Sequence, residues 1–201
     1  AEMSFLDHPP RRLFFFAKEA AAANGETPLT DLRSVYRDID SGLFHKFRER
    51  GVLYVRRYDG PGASRFSLWK TKRWDEMFST RDKHKVQKAA ATQRFDLTWL
   101  RNNGLKITNR QEAFRRHPVA GTLAWHNHSQ TFHVDAAAIE YGHILRRQKT
   151  LRSLAVYIAL QVLTFVKKLA RPAGEQDVNA LFGDGTPIKR REIRNVLNAF
   201  W

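Results

Sequence analysis

The sequence predicts an α+β fold, with a largely antiparallel sheet or barrel and flanking helices. Three observations carry that expectation. "FDLTWL" and "LKIT" alternate apolar and polar residues on either side of "RNNG", and an Asn-Gly turn between alternating runs is a strong hairpin signal. "VLYVRRY" (Val52–Tyr58) is a short β-branched and aromatic run. Two stretches, Leu29–Gly51 and Gly142–Ala170, instead repeat apolar residues near the helical period. Strands, hairpins and helices in this order favour a mixed α+β domain.

The elements follow in chain order. "RRLFFFAKE" (Arg11–Glu19) is a continuous apolar run between charges, the pattern of a strand buried on both faces. "AAAANGETPL" connects it to Leu29–Gly51, where Leu32, Val35, Tyr36, Ile39, Leu43 and Phe47 keep near-helical spacing. That helix is expected to break near Asp40–Gly42 and to stop at Gly51. Val52–Tyr58 is the next strand and "DGPGAS" a loop. A helix is expected from about Thr80 to Ala91, then the hairpin. "HPVAGTLAWHNHSQTFHV" reads as a further turn and strand, Gly142–Ala170 as one long helix ended by Pro172 and Gly174, and "FGDGTPI" as a tight turn. A last helix begins at Lys189.

Composition narrows the function. The chain has 201 residues, 42% hydrophobic and 12% aromatic, enough for one domain with a core and unlike a disordered segment. It contains no cysteine, which removes disulfides, thiolate metal sites and cysteine nucleophiles and fits a reducing cytoplasm. The longest apolar stretch, Leu154–Val166, is shorter than the ~20 residues of a membrane span, so a buried or amphipathic helix is expected and no membrane partner. The net charge of +15 invites a nucleic-acid partner, but the basic residues are scattered as pairs. A solvated basic surface is the preferred reading over a groove-binding face.

Several stretches together resemble the taurine dioxygenase and clavaminate-synthase-like family of iron(II)/2-oxoglutarate-dependent oxygenases. They are the opening "AEMSFLDHPPRRLFFFAKEAAAANGETPLTD", then "LFHKFRERGVLYVRRY", "HPVAGTLAWHNHSQTFHV" and "LFGDGTPIKRREI". The resemblance implies a double-stranded β-helix, or jelly-roll, core in a single domain over 1–201, with a helical insertion at about 140–172. It implies iron(II), 2-oxoglutarate and O2 as cofactor and cosubstrates. Two His and one carboxylate hold one face of the ion and leave the other positions open. Decarboxylation of 2-oxoglutarate to succinate would accompany oxidation of a small amino-acid-like or acidic metabolite.

By the same resemblance, Glu2 is the carboxylate metal ligand and Thr27 hydrogen-bonds the distal carboxylate of 2-oxoglutarate. A surface acid and a helix N-cap are the plain alternatives for these two. Met3, Ser4, Asn127 and Phe132 fall on the substrate side. His126 and His128 are two apart, so on a strand they would share a face, as some metal ligands do. The family places its iron elsewhere, and strand packing competes with a substrate-pocket role for this block. The His partner of Glu2 would immediately precede Ala1, and the distal His and an Arg would follow Trp201. The 201 residues are therefore expected to be the middle of a longer enzyme. The segment Gly142–Ala170 is a candidate lid or homo-oligomer contact, with a core helix as the alternative. A non-catalytic basic domain binding nucleic acid or an acidic partner, or an inactive oxygenase scaffold, are the competing functions.

Overall fold

Strand β1 (Val52–Tyr58) is the centre around which the other elements assemble. In the computed structural model, which describes residues 3–10, 12–23, 25, 29–63 and 72–201, two short helices lead into it. Helix α1 (Leu32–Asp38) starts at Asp31, whose carboxylate accepts the Arg33 N–H. Helix α2 (Ser41–Arg50) starts at Asp40, which accepts the Leu43 N–H at 3.0 Å. The expected break and stop are both present. Gly51 takes φ +68°, and a Cβ there would lie 2.6 Å from the Gln111 carbonyl oxygen, so a side chain is excluded twice over.

After β1 come α3 (Trp74–Met77), α4 (Lys83–Thr92), β2 (Asp96–Trp99) and β3 (Leu105–Gln111). The Asn-Gly hairpin forms as read. β2 and β3 are antiparallel, Leu100 N–H donates to the Gly104 carbonyl across the turn, and Asn103 adopts φ +56°, which Asn tolerates. β4 (Phe114–Arg116) and β5 (Leu123–Trp125) form a separate two-stranded sheet, followed by α5 (Ser129–Phe132), α6 (Ala136–Gln148) and α7 (Leu151–Ala170). β6 (Val178–Phe182) and α8 (Arg190–Asn198) close the chain. The four-stranded sheet has the order β2-β3-β1-β6 with every pair antiparallel.

Register explains the two cores. Tyr54 pairs with Asn109 and Ala180, and Val52 with Gln111 and Phe182, so these side chains share one sheet face. At one end of that face Val52, Tyr54 and Phe182 pack with Phe47, Trp125, Ile139 and Ile193. At the other end Leu105 and Ile107 pack with Trp74 and Val86. Arg56 and Asn109 occupy the seam between them.

Four expectations need correction. Residues 12–19 form no strand, and Phe14 and Phe16 are each 90% exposed. Among the described residues no strand pairs with this run, and an apolar run without a ladder neighbour has nothing to hold it extended. Gly142–Ala170 is not one helix. The chain turns at Lys149 (φ +50°), and Thr150 and Ser153 form a reciprocal capping box that starts α7 anew. The apolar helix thus runs over twenty residues, long and apolar enough by length and composition to cross a membrane, and it is mostly exposed rather than buried. "HNHSQTFHV" is not strand: β5 ends at Trp125, and Ser129–Phe132 is a helical turn. Strand β6, which carries no clear sequence signal because four of its five residues are buried on both faces, was not expected.

Candidate functional site

The segment Met3–Leu6 crosses the seam of the sheet face. Asn109 Nδ2 donates to the Phe5 carbonyl at 2.6 Å, and its Oδ1 accepts from Arg56 Nη2 at 2.9 Å. The buried Arg56 guanidinium lies 5.1 Å from the Phe5 ring centre and 4.6 Å from that of Phe95. Burial pulls its pKa below the ordinary value, partly opposed by Tyr58, and the ring faces supply part of the solvation that water would give. A charged residue in a strand reads as exposed, so this position was not legible in sequence.

Beside it, Phe5, Tyr54, His128 and Phe132 form an aromatic cluster. Phe132 lies 5.4 Å from both Phe5 and Tyr54, and stacks on His128 at 5.8 Å. The Tyr54 hydroxyl accepts the His128 N–H at 2.8 Å. Burial pushes the Tyr54 phenol up to about 12, against the hydrogen bond from the His128 N–H, so it stays protonated. Ser4 is fully buried and Met3 half exposed.

The structure therefore brings Ser4 and Phe132 to one place, around Tyr54, which the sequence had not singled out. Asn127 is also fully buried, but both ends of its amide are committed: Nδ2 donates to the Ala113 carbonyl at 3.0 Å, and Oδ1 accepts the Ser129 N–H at 2.9 Å. It holds the turn from β5 to α5. Glu2 and Thr27 lie outside the described residues. His126 and His128 share no strand face, since both follow β5 in irregular chain. Among the described residues no three His, Asp or Glu side chains converge as a metal-binding group. No step through iron is derived from these residues.

An open cavity of about 440 Å³ lies next to this block. The first residues of α1, the β4–β5 hairpin and Pro10, Arg12 and Leu13 enclose it, with Arg33, Arg115, Arg116, His117 and His126 also in its wall. Arg33 is spent on Asp31, which it grips through Nε and Nη2 at 2.8–3.1 Å and whose carboxyl it holds down at about 2. Arg116 donates to the Gly121 carbonyl at 2.9 Å, and His117 Nδ1 accepts from Ala120 N–H at 3.1 Å. Among the described residues no carboxylate pairs with Arg12 or Arg115. Burial, and then Arg115, pull His126 down to about 4, so it is neutral at physiological pH. The cavity is cationic and suits a small anion.

Comparison with known proteins bears on this site. The family model described as "Taurine catabolism dioxygenase TauD, TfdA family" matches residues 1–176. The Dapdiamide synthesis protein DdaC of Enterobacter agglomerans is 32% identical over 134 residues, which are 67% of this chain and 38% of that protein. The chain thus spans well under half the length of this curated relative.

Proposed function

The chain belongs to the taurine catabolism dioxygenase TauD, TfdA family, and on that premise we propose that it forms part of an iron(II)/2-oxoglutarate-dependent oxygenase acting on a small acidic or amino-acid-like metabolite. The observation that carries this reading is the extent of the family match, which includes both "EMSF" and "GETP". Glu2 would supply the carboxylate ligand to iron(II), and Thr27 would donate its hydroxyl to the far carboxylate of 2-oxoglutarate. Two His ligands and a cosubstrate-binding Arg would complete such a site. When bound, the metal and 2-oxoglutarate supply the oxidising power, and the protein's task is to position the target and exclude competitors.

The antiparallel sheets belong to a jelly-roll core in a single domain over 1–201, and the α6–α7 hairpin is its helical insertion, at about 140–172. Met3, Ser4, Asn127 and Phe132 line or support the substrate side, Asn127 by fixing the backbone turn that precedes Phe132. Arg12 and Arg115, without a carboxylate partner among the described residues, support an anionic substrate. A cysteine-free chain suits the reducing cytoplasm.

The test uses the complete natural protein with iron(II), ascorbate and 2-oxoglutarate, and measures succinate. Succinate that rises with an added acidic metabolite is expected, together with a 2-oxoglutarate-dependent absorption band under anaerobic iron(II). Absence of both, across a panel of acidic and amino-acid-like compounds, overturns the reading.

A further inference from the structure

Helices α6, α7 and α8 meet around a small cavity of about 80 Å³. It shares no residue with the cavity beside the β4–β5 hairpin. Its polar wall is His143 and Arg146 of α6, Tyr157 and Gln161 of α7, and Arg190 and Arg194 of α8, and no acidic side chain lines it. Two of these groups are already committed. Gln161 donates to the Ala138 carbonyl at 3.2 Å and accepts from Arg190 at 2.7 Å, and Arg190 also donates to the fully buried Asp135 at 2.8 Å. Those bonds fix one wall of the cavity.

Arg146 and Arg194 stand differently. Both are exposed, and among the described residues neither has a carboxylate partner. Their charge is felt inside: burial, and then Arg146, Arg147 and Arg194, draw His143 below its ordinary value, with the exposed Glu140 opposing them. The Trp201 ring stacks on His143 at 5.4 Å and lies 4.6 Å from the Arg147 guanidinium, which gives Arg147 a neighbour of its own. Packed interiors leave few voids, and one lined by cations with no acid among them attracts an anion.

We propose that this cavity binds a phosphoryl group, carried by free phosphate, a small phosphorylated metabolite or a lipid headgroup, with Arg146 and Arg194 as its main ligands. A guanidinium fork matches phosphate oxygens in pairs. The neutral imidazole of His143 and the Tyr157 phenol can each donate one more hydrogen bond. Space selects the group, since a cavity needs ~10–15 Å³ to hold one water. The volume here takes a tetrahedral oxyanion and leaves the rest of any larger ligand in solvent.

The test follows the thermal midpoint of the complete natural protein against inorganic phosphate, with ionic strength held constant by chloride. Binding to the folded state alone raises the midpoint, with half the effect expected near ~1 mM. Arg146→Gln and Arg194→Gln should each move that concentration about tenfold higher. Arg152→Gln removes an exposed cation outside the cavity and should leave it unchanged. Acetate should act about tenfold more weakly than phosphate. Pelleting with phosphatidic acid vesicles that Arg146→Gln weakens would assign the group to a lipid, and stabilisation by glycerol phosphate without pelleting would assign it to a soluble metabolite. A general salting effect, or phosphate held by Arg115 in the other cavity, would act alike on all three variants. That result, no rise with phosphate, or equal action by acetate overturns the proposal.

Discussion

The Tyr54 hydroxyl accepts the backbone N–H of His128 at 2.8 Å, tying the central strand to the loop that leads into α5. Tyr54 is wholly buried, so Tyr54→Phe leaves that N–H without its partner in a dry place. The expected loss is about 1–3 kcal/mol of unfolding free energy, read from the urea midpoint. A change within error would show that the bond contributes nothing.

Gly183 lies where β6 leaves the sheet and passes the end of α2. A Cβ there would stand 1.9 Å from the Arg50 carbonyl oxygen, which is backbone and cannot swing away. Gly183→Ala should destabilise by about 2–4 kcal/mol, among the larger single-residue effects. Gly174→Ala, with nothing within 4 Å of the new atom, is the matched control and should leave the melting temperature nearly unchanged. Equal effects at the two positions would reject the close approach.

Folding keeps two histidines neutral. Burial, with Arg115, draws His126 to about 4, and burial also lowers His133, whose Nε2 lies 2.9 Å from the Ile188 carbonyl. In the unfolded chain a histidine takes its proton near ~6.5. Between that value and about 4 the unfolded state binds more protons, so stability rises with pH through this window. The contribution is complete above ~6.5 and is lost as the pH falls toward the folded value. Denaturation midpoints at neutral and mildly acidic pH should show the slope, and His126→Asn should flatten it. Greater stability on acidification would contradict it.

In the complete protein, Glu2→Ala is expected to abolish iron retention, measured by metal content after desalting. Thr27→Ala should leave the metal in place and raise the 2-oxoglutarate requirement about tenfold, the loss of one charge-assisted hydrogen bond. Tight iron binding by the Glu2 variant would remove that residue from the ligand set.

Arg115 faces the cationic cavity without a carboxylate partner among the described residues. Arg115→Gln should raise KM for an anionic substrate about tenfold, while succinate formed in the absence of substrate stays as it was. A fall in succinate formation both with and without substrate would assign Arg115 to the folding of the β4–β5 hairpin instead.

Local signals were legible wherever chain neighbours determine the outcome. Val52–Tyr58, the Asn-Gly hairpin, the break at Asp40 and the stop at Gly51 all arise from side-chain alternation, capping and glycine, and each appears where it was read. The stretches that announced the family were legible too, because they are contiguous. Contacts between segments distant in the chain decided the rest. Asn109 and Arg56 are buried because Phe5, more than a hundred residues from Asn109, closes over them. The outward turn of α7 follows from Asp135, Ala138 and Arg190, which hold its polar side from the start of α6, from α6 and from α8. Sequence alone gives α7 its hydrophobic period. Which way that period faces is a matter of which polar groups find partners inside, and only the packed structure supplies those partners.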